Sequence, residues 1–196
     1  MQPAKINYKI YQGSTFQETY RWESETKVYV PIQSIAKAAP CVITTQSSHS
    51  IPPGWRVKVV GAGGMKEINN VGDSFYIATS VTGTTAVLNQ VNSLQYSTYT
   101  SGGVIEYNQP IDLAGYSARM QIRETVDSPT IIHEATTANG QLTVNNTDKF
   151  IQLTLLGNVT QSFGFTTAVY SIELYSGNNV IPFINGNLTL VQEVTR

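Results

Sequence analysis

Charge is scarce in this sequence. Of its 196 residues only 13% are Asp, Glu, Lys or Arg, about half the usual share for a soluble protein. The polar surface must then be built mostly from Ser, Thr, Asn and Gln. Nor does one sign dominate, with 12 basic against 13 acidic residues and a formal net charge of -1. Binding to a phosphate backbone by bulk charge is thereby excluded.

Cysteine is nearly absent. The single Cys41 can form no internal disulfide and no structural zinc site by itself. Its neighbours Pro40, Val42 and Ile43 are apolar, which predicts a buried, inert thiol. No stretch approaches the ~18 apolar residues of a membrane-spanning helix. No apolar signal core follows Met1-Gln2-Pro3-Ala4-Lys5, so no secretory route is expected. The Asn-x-Thr triplets at Asn145, Asn158 and Asn187 carry no glycosylation meaning without one.

Residues for catalysis are equally thin. The two histidines lie far apart, His49 in a polar Ser-rich loop and His133 after Ile131-Ile132 in an apparent strand. A histidine metal site wants more, and no Gly-x-Ser-x-Gly elbow accompanies them. The carboxylates, Asp73, Asp112, Asp127 and Asp148 among them, are too scattered for a calcium loop. A glycosidase pair drawn from distant strands is left open by sequence. Gly61-Ala62-Gly63-Gly64 superficially matches a dinucleotide loop. The third glycine position is Lys66, and Asn69-Asn70-Val71-Gly72 breaks any helix that would face a pyrophosphate. A glycine turn between strands is the reading. No catalytic, cofactor-binding or metal-ligating residue is assigned.

What the sequence does have is period-two alternation, the mark of half-buried strands. Apolar rows run through Ile6, Tyr8 and Ile10; Phe16, Tyr20 and Trp22; Val28 and Val30; Tyr116, Ala118, Met120 and Ile122. They continue through Ile151, Leu153 and Leu155; Tyr170, Ile172 and Leu174; and Leu188 and Leu190. Turn signals separate them at Asn139-Gly140, Gly177-Asn178-Asn179 and Asn185-Gly186-Asn187, since Gly and Asn tolerate positive φ. Short helical turns are expected only at residues 32–39 and 158–163. The stretch before Tyr8 reads as an arm able to reach a neighbour.

The middle of the chain differs. From about Pro40 to Tyr107 it is rich in Gly, Ser, Thr and Val, with short strands at 41–45, 55–60, 74–78, 85–88 and 104–107. Such spacing predicts a small barrel or sandwich. The fold class expected is all-β: a discontinuous β-sandwich formed by residues 1–38 and 108–196, with an inserted barrel-like β-domain at 39–107. The first segment is too short to fold without a partner.

Two strings resemble known families. Asp112-Leu113-Ala114-Gly115-Tyr116-Ser117-Ala118-Arg119-Met120-Gln121-Ile122-Arg123 resembles the core of the upper-baseplate proteins of siphophages and their relatives in short-tailed phages. Gln12-Gly13-Ser14-Thr15-Phe16 upstream, Asn139-Gly140, the run from Ala168 to Leu174, and the last strand from Leu188 extend the likeness. It covers most of residues 6–38 and 109–196. That family implies a sandwich that docks a fibre or receptor-binding protein to the virion. The middle, with Gly61 to Asn69, Phe75 to Ala78, Leu88 to Asn92 and Tyr99 to Gly103, resembles a small β-domain of phage structural proteins. That domain is named after the first catalytic cysteine half-domain of ubiquitin-activating enzymes. The likeness borrows a fold and no ubiquitin chemistry.

The resemblance implies a non-enzymatic virion structural protein, an adaptor or fibre-docking part of tail, neck or baseplate. It would be made in the host cytoplasm and act as a homo-oligomer against other phage structural proteins, with no nucleic acid, membrane or cofactor. A capsid decoration or head-fibre protein shares the same composition. A host-surface carbohydrate-binding module is the other alternative, with a glycan as possible partner. Of the 11 tyrosines, Tyr96, Tyr99 and Tyr107 cluster late in the middle domain. They are the candidate partner-binding residues, because tyrosine is large, stiff and amphipathic.

Overall fold

The computed structural model describes residues 2–193. The chain is all-β, with fifteen strands among the described residues. In order they are β1 (Ala4–Lys5), β2 (Tyr8–Tyr11), β3 (Phe16–Tyr20), β4 (Glu23–Ile35) and β5 (Cys41–Thr45). Then come β6 (Trp55–Val60), β7 (Tyr76–Thr82), β8 (Thr85–Leu88), β9 (Val104–Pro110) and β10 (Ser117–Arg123). The last five are β11 (His133–Thr136), β12 (Leu142–Asn145), β13 (Phe150–Leu155), β14 (Thr167–Ser176) and β15 (Asn179–Val191). One short helix, α1 (Gly157–Gln161), and one 3-10 turn (Lys66–Ile68) complete the list. No described helix is long and apolar enough to cross a membrane.

The strands group into two compact units. Residues up to Tyr20 and from Asp112 onward form the outer unit, and Arg21–Ile111 form the inserted one. The sequence places these boundaries at 38/39 and 107/108, and the structure moves them. Residues 21–38 belong to the inserted unit because β4 is a barrel stave, paired with β9 along its first part and β5 along its last. Without it the barrel would have an open seam.

The outer unit is a sandwich. Its larger sheet runs β1-β15-β14-β10-β11, with β2 also paired to β15, and its smaller sheet runs β12-β13-β3. The alternating rows face inward as their period requires: Ala118, Met120 and Ile122 from β10, Ile151, Leu153 and Leu155 from β13. Each such fully buried Leu or Ile contributes roughly 1.5–3 kcal/mol. Rings join the two layers. Tyr8 meets Phe16 edge-on at 5.2 Å, and Tyr20 meets Phe183 at 6.2 Å.

Two local expectations fail here for the same stretch of β15. Asn185-Gly186-Asn187 is no turn but the middle of the strand. The N-terminal stretch is no free arm. β1 pairs in parallel with Ile184 and Asn185, β2 with Leu188 to Val191, and the chain passes from one to the other opposite Gly186. A side-chain carbon at Gly186 would run into the Ile6 carbonyl. The glycine marks a close backbone approach, and Asn187 N–H donates to Asn7 Oδ1 at 2.9 Å beside it.

The inserted unit is a closed six-stranded barrel, β4-β5-β8-β7-β6-β9. Its interior is filled by Ile32, Ile43, Trp55, Val59, Leu88 and Ile105, among others. Trp55 is wholly buried, and its indole N–H donates to the Asn108 carbonyl at 2.9 Å. The helical turn expected from Ile32 onward is instead the end of β4. A bulge between Ile32 and Ser34 shifts the register against β5, so Ile32 and Ile35 both point inward three residues apart. A bulge imitates helical spacing in this way. At residues 158–163 a helical turn does form, overlapping α1.

Candidate interaction surfaces

The three candidate tyrosines do not form one exposed face. Tyr107 follows Ile105 on β9 in the inward alternation and is 5% exposed, part of the barrel core. Its ring cannot meet a partner, and burial pushes its hydroxyl pKa up. Tyr96 and Tyr99 are partly buried against the same core. The Tyr99 hydroxyl donates towards two carbonyls, Gly102 at 2.9 Å and Ile32 at 3.2 Å, and so ties the 99–103 loop to β4. The clustering in sequence reflects a loop laid over the barrel.

The residues weighed for chemistry are placed as follows. Cys41 is buried in the barrel, where desolvation raises its thiol pKa. Gly61 and Gly64, both at positive φ, make the turn after β6. His49 is in the inserted unit and His133 in the outer one. His133 Nε2 lies 2.6 Å from Gln141 Oε1, and its ring meets Phe163 edge-on at 5.6 Å. Among the described residues no three His, Cys, Asp or Glu side chains gather where they could hold a metal ion.

Two open surfaces carry exposed apolar groups. On the barrel, Phe75 is 50% exposed beside a groove lined by Arg56, Lys58, Asp73 and Asn108. The Arg56 guanidinium lies 6.0 Å from the Phe75 ring and is held by Glu23 at 2.6 Å. On the outer unit, the β10–β11 loop presents Val126 at 81%, Ile131 at 40% and Ile132 at 37% exposure. Ile132 lines a groove with Phe165 from the segment between α1 and β14, and Phe165 packs on Phe163 at 5.4 Å. The loop is anchored, since Arg123 Nη1 donates to the Ser128 carbonyl at 2.6 Å.

The edge of the large sheet next to this loop is partly capped. On β11, Asn139 Nδ2 donates to the Glu134 carbonyl at 3.0 Å, and the Thr136 N–H donates to Asn139 Oδ1 at 2.9 Å. One amide side chain thus takes up a carbonyl and an N–H that another strand would otherwise bind.

Sequence reasoning named Phe75 only in the middle-domain resemblance and Ile131-Ile132 only as the run before His133, and assigned a surface to neither. Val126, Ile131 and Ile132 did carry a signal, being apolar residues in a stretch with no alternation. No known protein family matches this chain, and no curated protein matches it either.

Proposed function

We propose that this chain is a structural part of a bacteriophage particle, an adaptor of tail, neck or baseplate that holds neighbouring subunits by protein–protein contact. The observation that carries the reading is the exposed apolar loop between β10 and β11. Val126, Ile131 and Ile132 lie open to solvent on an anchored loop, beside a sheet edge partly capped by Asn139. Apolar anchors on a fixed support suit side-chain docking into a neighbour's pocket. The upper-baseplate resemblance agrees, for its core string builds the turn at Asp112–Tyr116 and all of β10, from which this loop springs. Repetition by symmetry would let modest single contacts act together.

The test is complementation of the encoding phage with Ile131→Asp/Ile132→Asp. Particles are expected to contain the wild-type chain in fixed stoichiometry by mass spectrometry. The variant should be incorporated about tenfold less, a loss of about 1.4 kcal/mol in docking, with its melting temperature unchanged. Absence of the wild-type chain from particles, or full incorporation of the variant, would sink the reading.

A further inference from the structure

The outer face of the large sheet carries a polar row that crosses every principal strand. Lys5 on β1 opposes Asn185 on β15, which opposes Ser171 on β14, which opposes Gln121 on β10, which opposes Glu134 on β11. Neighbouring strands lie about 4.8 Å apart, so the row runs about 19 Å. One step along, Asn187 and Val169 lead across to Arg123. Lys5, Gln121, Arg123, Ser171, Asn185 and Asn187 line one open groove.

Its arginine is set differently from Arg56 and Arg119. Arg56, Arg119, Lys27 and Lys149 each hold a carboxylate, at 2.6, 2.7, 2.5 and 3.1 Å. Arg123 instead spends its N–H groups on neutral oxygens: Nη1 on the Ser128 carbonyl at 2.6 Å, Nη2 on Gln121 Oε1 at 2.9 Å. Gln121 is fixed in turn by donating to Glu134 at 2.7 Å. The guanidinium is thus held in place with no direct ion pair and three of its five N–H groups unspent among the described residues, the Glu134 carboxylate being taken up by Gln121. Lys5, at the other end of the row, also has no ion-pair partner among the described residues.

A fixed guanidinium with no direct ion pair among the described residues suits a carboxylate, which takes two N–H groups side by side. The rest of the groove narrows the ligand. Amides and a hydroxyl match the hydroxyls of a sugar. Val126, Val169 and Tyr170 line the groove beside these polar groups, a mixed surface of the kind that a sugar ring covers with its apolar face. Two cations are too few for a nucleic-acid backbone. We infer that this groove binds an acidic saccharide. One sugar carboxylate lies on Arg123, the hydroxyls lie on Asn185, Asn187 and Ser171, and a carboxylate further along the saccharide reaches Lys5. The site shares Val126 and the Arg123–Ser128 contact with the apolar loop, but sugar binding by the free chain is read separately from incorporation into particles.

The experiment is an NMR titration of the full chain with three probes: a galacturonic acid trimer, the neutral galactose trimer and sodium acetate. The acidic trimer should shift the amides of residues 121, 123, 171, 185 and 187. It should bind at least about tenfold tighter than either other probe, as a charge-assisted bidentate contact joined to hydroxyl contacts requires. Arg123→Gln and Lys5→Gln should each weaken it by about tenfold. Lys5 is exposed on the short β1, so its variant keeps the test decisive if the Arg123 variant unfolds. Three results overturn the inference: no shifts at these amides, equal binding of the neutral trimer, or acetate binding as tightly as the acidic trimer.

Discussion

His49 shows how one side chain can make a barrel sensitive to pH. Its Nδ1 accepts from the Ile51 N–H at 3.3 Å, and its backbone N–H donates to the Gly83 carbonyl at 2.8 Å. Nε2 is buried with no hydrogen-bond partner among the described residues. Burial lowers the imidazole pKa below its ordinary 6.5. As pH falls through about 6.5 the unfolded chain takes up a proton that the folded chain refuses. The neutral imidazole therefore stabilises the fold above that pH, and this contribution is lost as pH falls towards the lowered folded value. Thermal melts from pH 7 to pH 5 should show a steeper fall for the native chain than for His49→Gln; parallel curves would rule the histidine out. Little of this was legible in the sequence, where the Ser-rich surroundings of His49 predict a solvated loop. The inward-facing Tyr20 and Tyr170, by contrast, stand out from alternation alone. Their convergence with Tyr8 did not, because it needs two sheets to close on each other. Burial pushes all three hydroxyls up in pKa, and that of Tyr170 donates to the Ile6 carbonyl at 2.9 Å.

At the scale of the element, alternation placed most strands and misplaced the irregular ones. The rows in β10, β13 and β14 were legible because each strand buries one whole face. β4 was cut short, because a bulge breaks the period of two at Ile32. Asn185-Gly186-Asn187 read as a turn because glycine and asparagine serve turns and close approaches alike. The difference lies in what passes over Gly186, which only the three-dimensional fold reveals. Gly186→Ala is expected to lift β1 from β15. Urea denaturation should show a loss of at least ~2 kcal/mol, the cost of overpacking. Amide exchange at Ile6, which donates to the Asn185 carbonyl at 2.9 Å, should speed up. Native exchange at Ile6 in that variant would show that the strand tolerates a methyl group. The groove argued to hold an acidic sugar was half legible. Arg119, Gln121 and Arg123 were plain as the wet face of β10, but not which of them lacked a carboxylate.

For the whole molecule, the insertion was legible from the change in composition near Pro40 and Tyr107, and its true limits were not. β4 alternates like the outer strands, so nothing in its residues assigns it to the barrel. That assignment has a direct consequence. Residues 40–107 lack the stave that pairs with both β5 and β9, which leaves two edges open. A fragment of residues 21–111 should give a dispersed NMR spectrum, and one of residues 40–107 a collapsed one. Dispersion in the shorter fragment would mean that the barrel closes without β4.

The inserted chain also leaves and returns at neighbouring points. Glu23 is paired with Pro110, and the Ile111 N–H donates to the Trp22 carbonyl at 3.0 Å. Once the barrel has formed, the two pieces of the outer unit are linked as if by a tight turn. The entropy of closing a loop grows with its length, and folding slows as contacts become more distant along the chain. A barrel that forms first removes that distance. The pairing of β3 with β13, remote in sequence, then becomes nearly local, so the order of events matters more to the folding rate of the sandwich than the length of the chain inserted into it.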